Sequence, residues 1–130
     1  MGKKNSSQPT EAELEILQVL WDSQPCTISV IHERISQHRD IGYTTISKQT
    51  ERMLDKGMLT RRKEGKIYEY STSMKEEQVQ QSLSKRLLQT AYKGARMKLI
   101  LHALGQQKTS KEELDTLQNW LNQQKEQTDD

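Results

Sequence analysis

Between Thr44 and Arg52 the sequence sets short hydroxyls beside long cations: Thr44, Thr45, Ser47, Lys48, Glu51 and Arg52. At helical spacing these residues share one face, and Ile46, Thr50, Met53 and Leu54 form the opposite, buriable stripe. Small hydroxyl side chains let a helix come close to a DNA major groove, where Lys or Arg can reach phosphate or guanine. Gly57 directly after Lys56 reads as a helix stop with a cation in the last turn. Most polar helix faces are simply solvated, so this face needs support from its neighbours.

Other reactive side chains offer less. His32, His38 and His102 share no helix turn, and none has a carboxylate or thiol at ligand spacing. Neither a catalytic nor a metal role is expected of them. Glu11, Glu13 and Glu15 form a carboxylate cluster, but at a helix start, where the dipole favours negative charge. There is no Gly-rich phosphate loop and no nucleophile elbow. Cys26, the sole cysteine, cannot form an internal disulfide, which fits a reducing compartment and a small buried or linker residue. Tyr68 and Tyr70 could stack on bases, but packing against helices is the commoner outcome for strand residues. The expectation is a non-enzyme with no cofactor and no metal.

The elements around the polar face are more informative. Thr10-Glu11-Ala12-Glu13 is a capping-box pattern opening a helix with Leu14, Ile16, Leu17, Leu20 and Trp21 inward. Asp22 to Pro25 ends it, and Thr27 can cap a short second helix carrying Ile28, Val30, Ile31 and Ile35. Those β-branched residues would also suit a strand; Glu33 and Arg34 ahead of Ile35 favour the helix. Gln37 to Gly42 is a polar turn into the third helix. Met58 to Arg62 alternates poorly, whereas Ile67-Tyr68-Glu69-Tyr70-Ser71 reads as a strand, with Lys63-Glu64-Gly65-Lys66 as a hairpin tip. Three short helices followed by a basic hairpin are the order of a winged helix-turn-helix.

From Lys75 the pattern changes. Val79, Leu83, Leu87, Leu88, Ala91 and Tyr92 recur at helical intervals, Lys93-Gly94 loosens the helix, and Met97, Leu99, Ile100, Leu101, Ala103 and Leu104 form the densest apolar run. Ser110-Lys111-Glu112-Glu113 is a second capping box, leading a helix with Leu114, Leu117, Trp120 and Leu121 on one side. So much apolar surface on so small a segment is most economically buried against a second copy. The expected organisation is a flexible start over 1–9, a winged-helix DNA-binding domain over 10–72, helices for dimerisation over 73–124 and an acidic tail over 125–130.

With 130 residues and a net charge of +2, no global polyelectrolyte character calls for nucleic acid. The cations instead gather locally as Lys48, Arg52, Lys56, Arg61, Arg62, Lys63 and Lys66, against Glu51, Asp55 and Glu64. No apolar run approaches the roughly 20 residues of a membrane span, and a cytoplasmic protein is expected.

The order Thr10-Glu11-Ala12-Glu13-Leu14-Glu15-Ile16-Leu17, Leu20-Trp21, Tyr43-Thr44-Thr45-Ile46, Arg52-Met53, Lys56-Gly57-Met58-Leu59 and Lys66-Ile67-Tyr68-Glu69-Tyr70 resembles the penicillinase-repressor family, of the BlaI, MecI and CopY type. The likeness runs from about Thr10 to about Leu121. It implies a winged-helix repressor that binds palindromic double-stranded operator DNA as a homodimer. Tyr43, Thr44, Thr45, Ser47, Lys48 and Arg52 would then face the groove, with Lys63 and Lys66 on the backbone. Leu83, Leu87, Leu88, Tyr92, Met97, Ile100, Leu101, Leu104, Leu117 and Leu121 would hold the dimer. In the penicillin-responsive branch a sensor protease cuts an Asn–Phe bond, and the matching position here is His102-Ala103, which shares neither residue. The copper-responsive branch carries C-terminal cysteines that this chain lacks, and thiolates are the ligands that select Cu(I). Gly42 stands where many relatives open helix 3 with Ser, so the cap is Gly42 or shifts to Thr44. Gln49 and Thr50 replace aliphatic residues, so that helix is expected to pack less tightly. Two other readings stay open: a copper-type homeostasis repressor without the cysteine motif, and a winged-helix module that binds protein.

Overall fold

The computed structural model describes residues 8–106 and 108–128. The elements run α1 (Glu11–Ser23), α2 (Ile28–Ser36), α3 (Tyr43–Asp55), β1 (Thr60–Glu64), β2 (Ile67–Ser71), α4 (Glu76–Thr90), α5 (Arg96–Gly105) and α6 (Lys111–Thr128). The architecture is mainly α with one small antiparallel hairpin, as expected. The described residues form two compact units that divide after Ser84, inside α4.

In the first unit the capping box of α1 is fully made: Glu13 N–H donates to Thr10 Oγ1, and Thr10 N–H donates to Glu13 Oε1. Thr27 caps α2 by accepting from Val30 N–H. Ile16, Leu17 and Leu20 of α1, Ile31 and Ile35 of α2, and Ile46 and Met53 of α3 close one core. Val19 joins it, which its position outside the apolar pattern did not signal, and Leu14 and Trp21 are only half-buried. Trp21 lies at the core's edge and its indole N–H donates to the carbonyl of Met74 at 2.8 Å. Thr50 is fully buried, and its hydroxyl donates to the Ile46 carbonyl one turn back at 2.8 Å, so a polar atom enters the core satisfied.

The hairpin register pairs Thr60 with Ser71, Arg61 with Tyr70, Arg62 with Glu69, Lys63 with Tyr68 and Glu64 with Ile67. Only Gly65 and Lys66 join the strands, and Gly65 takes φ +66°, a conformation tight hairpin turns assign to glycine. The first strand therefore runs to Glu64, through part of the expected tip. Every residue of β1 is exposed, so nothing required its sequence to alternate. On its other side β2 is tied to the α1–α2 loop. Cys26 N–H donates to Tyr70 O at 3.0 Å, and Tyr70 N–H donates to Cys26 O at 2.7 Å. Tyr70 and Cys26 are both buried in the core.

In the second unit the segment between α4 and α5 turns through the left-handed region at Lys93, φ +51°, and Gly94, φ +85°. The Ser110–Glu113 box at the start of α6 is made in both directions at 3.1 Å. No described residue of α5 or α6 is buried. Among the described residues no helix is long and apolar enough to cross a membrane.

Candidate nucleic-acid interface

α3 begins at Tyr43 with Gly42 at the N-cap, and Gly42 offers no side-chain cap. The cap thus stays at Gly42 without moving to Thr44. Its buried side carries Ile46, Thr50 and Met53. The opposite side exposes Tyr43, Thr44, Thr45, Lys48, Glu51 and Arg52, with Ser47 half-buried. The polar face read from the sequence is thus a surface on the folded unit.

Ion pairing sorts the basic residues around this face. Lys56 Nζ lies 2.6 Å from Glu13 Oε2, and that carboxylate is buried in the α1–α3 contact. Burial alone would raise the Glu13 pKa, but hydrogen bonds from Lys56 and from Thr10 N–H outweigh it and hold the carboxyl below its ordinary range. Arg61 Nη1 sits 3.3 Å from Glu51 Oε2 and its guanidinium lies 4.0 Å over the Tyr68 ring, which links α3 to the wing. Arg62 pairs with Glu64 within β1 at 2.9 Å. Arg34 pairs with Asp22 and Arg39 with Glu15, both bracing α1 against the α2 region.

What is left is specific. The side chains of Lys48, Lys63 and Lys66 make no ion pair with a described residue, and Arg52 reaches only the Gln49 side-chain oxygen, at 3.3 Å. Lys48 and Arg52 are on α3; Lys63 is at the end of β1, and Lys66 sits in the turn. Two cations on a helix face and two on the adjoining hairpin are available to an anionic partner. Of the seven cations gathered in this stretch of sequence, four remain once the pairs of Lys56, Arg61 and Arg62 are set aside. That sorting was not legible beforehand, because the partners of Lys56 and Arg61 lie 43 and 10 positions away.

His32, dismissed as a ligand, contacts this face. Its Nε2–H donates to the Ile41 carbonyl at 2.8 Å and its ring meets Tyr43 edge to face. Tyr70 packs inward as expected of a strand residue, whereas Tyr68 stays exposed beneath Arg61. Among the described residues no group of three or more His, Cys, Asp or Glu could hold a metal ion.

In the second unit, Leu87, Met97, Ile100, Leu101, Leu117 and Leu121 are exposed, as are Leu114 and Trp120. Leu88, Tyr92 and Leu104 are half-buried, as is Leu83 at the end of the first unit. His102 and Ala103 lie exposed in the helical backbone of α5, and Tyr92 Oη is 3.0 Å from His102 Nδ1.

Comparison with known proteins agrees with the geometry. The pattern of the penicillinase repressor family matches residues 9–123. The methicillin resistance regulatory protein MecI of Mammaliicoccus sciuri is 29% identical over 113 residues, 87% of this chain and 92% of the relative. MecI of Staphylococcus aureus strain N315 is 28% identical over the same shares. The solution structure of the DNA-binding domain of the repressor BlaI superposes with a TM-score of 0.51 at 27% identity, covering 57% of this chain and 90% of that one.

Proposed function

The chain belongs to the penicillinase repressor family, and from that premise we propose that this transcriptional repressor binds palindromic operator DNA as a homodimer. Residues 10–72 carry DNA binding and 73–124 carry dimerisation. α3 enters the major groove, with Tyr43, Thr44, Thr45, Ser47 and Lys48 toward base edges and Arg52 toward phosphate. The wing lays Lys63 and Lys66 on the adjoining backbone.

One observation carries this reading. Among the described residues, Lys48, Arg52, Lys63 and Lys66 pair with no carboxylate, while Lys56, Arg61 and Arg62 are held in internal pairs. A merely solvated basic surface has no reason to leave its free cations on the helix face and hairpin that would meet one duplex. The dimer follows from exposure: Met97 is 65% and Leu101 60% exposed, and burying such a side chain is worth about 1.5–3 kcal/mol. A second copy covering this surface supplies the second half-site. A sensor protease acting at His102-Ala103 would need α5 to open locally, since a helical backbone is not the extended form a protease cleft takes, and would release the DNA by unlinking the two copies.

Footprinting on the DNA upstream of the protein's own coding region tests the proposal. Two protected half-sites about 34 Å apart, or a multiple of that, are expected, with affinity that falls steeply as salt is added. Protection of a single site, or binding that ignores salt, refutes it. Salt-independent capture of a protein partner would point to the interaction module.

A further inference from the structure

The geometry points to His32 as a positioning residue for base reading by α3, a role that rests on the repressor reading above. His32 lies on α2, and its ring faces Tyr43 with centroids 5.7 Å apart and planes at 73°. Its Nε2 is 2.8 Å from the Ile41 carbonyl oxygen. A carbonyl can only accept, so Nε2 carries the hydrogen and donates. The ring is thereby held at both ends, by a hydrogen bond on one side of Gly42 and an aromatic contact on the other.

This arrangement does what a local cap would otherwise do. Gly42 gives α3 no side-chain cap. The start of the helix is located instead from α2, through Ile41, which also packs against the core. Tyr43, first residue of α3, is 48% exposed and would swing among rotamers if left alone. Recognition helices read bases through residues near their N-terminus, so the direction in which Tyr43 points bears on specificity. Edge-to-face aromatic pairs contribute beyond the area they bury. The ring contact aims Tyr43, and the Ile41 hydrogen bond ties the start of α3 to α2.

The probe is the duplex that the wild-type protein enriches from a random-sequence pool, compared with a shuffled duplex of the same composition. His32→Gln keeps a donor near the Nε2 position and removes the ring; His32→Phe keeps a ring and removes the donor. His32→Gln is expected to lower the ratio of specific to shuffled affinity by about two- to tenfold, the range of an aromatic pair. In a Tyr43→Ala background it should lower the ratio no further. His32→Phe should melt at a lower temperature yet keep the ratio within about twofold of wild type. Losses from His32→Gln and Tyr43→Ala that multiply, or that are equal on both duplexes, overturn the positioning role. Should His32→Gln fail to fold, a large fall in the ratio for His32→Phe overturns it instead. A wild-type protein that enriches no duplex removes the repressor reading and this one together, whereas enrichment with independent losses removes only this one.

Discussion

Salt titration of wing variants distinguishes free cations from paired ones. Lys63 and Lys66 have no carboxylate partner among the described residues, whereas Arg62 is held 2.9 Å from Glu64 on the same strand. Each phosphate neutralised contributes about 0.9 to the slope of log affinity against log salt. Removing both lysines from a homodimer removes four contacts, so Lys63→Ala with Lys66→Ala should flatten the slope by up to about 3.6. The same change in a protein that binds as one copy would give about 1.8. Arg62→Ala removes two formal charges from the homodimer, but each is already answered by Glu64, so the slope should move by well under about 1.8. Fluorescence anisotropy on a labelled operator at four or five salt concentrations reads all three proteins. Equal flattening by Arg62→Ala, or an unchanged slope in the double lysine variant, would refute the sorting by ion pairs and place the wing off the DNA.

Other outcomes follow from the same geometry. Lys48→Ala should reduce discrimination between operator and random DNA, while Arg52→Ala weakens both about equally; competition binding with the two duplexes separates them, and identical profiles would contradict the assigned roles. Leu101→Glu puts a carboxylate on the exposed apolar face of α5 and should sediment as a monomer. Because linked sites gain roughly 10²- to 10⁴-fold in avidity, operator affinity should fall by about that factor, and a monomer with full affinity would reject the avidity argument. Glu13→Gln leaves Lys56 without its anion and should cost about 1–3 kcal/mol, measured by chemical denaturation. The Glu13 carboxyl is held below its ordinary value of 4.5 in the fold, so its stabilisation is fully present above about pH 4.5 and is lost as pH falls through the lower folded value. The gap between wild type and Glu13→Gln should therefore narrow only in acid, and a gap that persists unchanged there would show another origin.

What could be read ahead from the sequence was mostly local. The Thr10 and Ser110 boxes span four residues each, and both are realised. The two sides of α3 separate by helical period alone, so its buried stripe and polar face were visible. β1 was harder, because a strand exposed along its whole length has no alternation to display. Thr50 stands where relatives often place an aliphatic residue, and its hydroxyl finds the Ile46 carbonyl while the side chain is fully buried. The contacts around the candidate interface join distant positions: Glu13 with Lys56, Glu51 with Arg61, His32 with Tyr43. No periodicity encodes such pairs, since each depends on how separate elements pack.

The paired hydrogen bonds between Cys26 and Tyr70 also bear on how the first unit is assembled. They close a loop that contains α2, α3 and β1, whereas the contacts within each helix and within the hairpin are short in sequence. Loop closure costs entropy that grows with the logarithm of length, and non-local contacts slow folding. α1 to α3 can gather early, but Tyr70 has to arrive before the core gains its last wall. On the ribosome, α3 is therefore translated well before the residue that seals the domain behind it. Stopped-flow refolding of a Tyr70→Leu variant should show this step directly, with unfolding accelerated far more than folding is slowed if the closure is late.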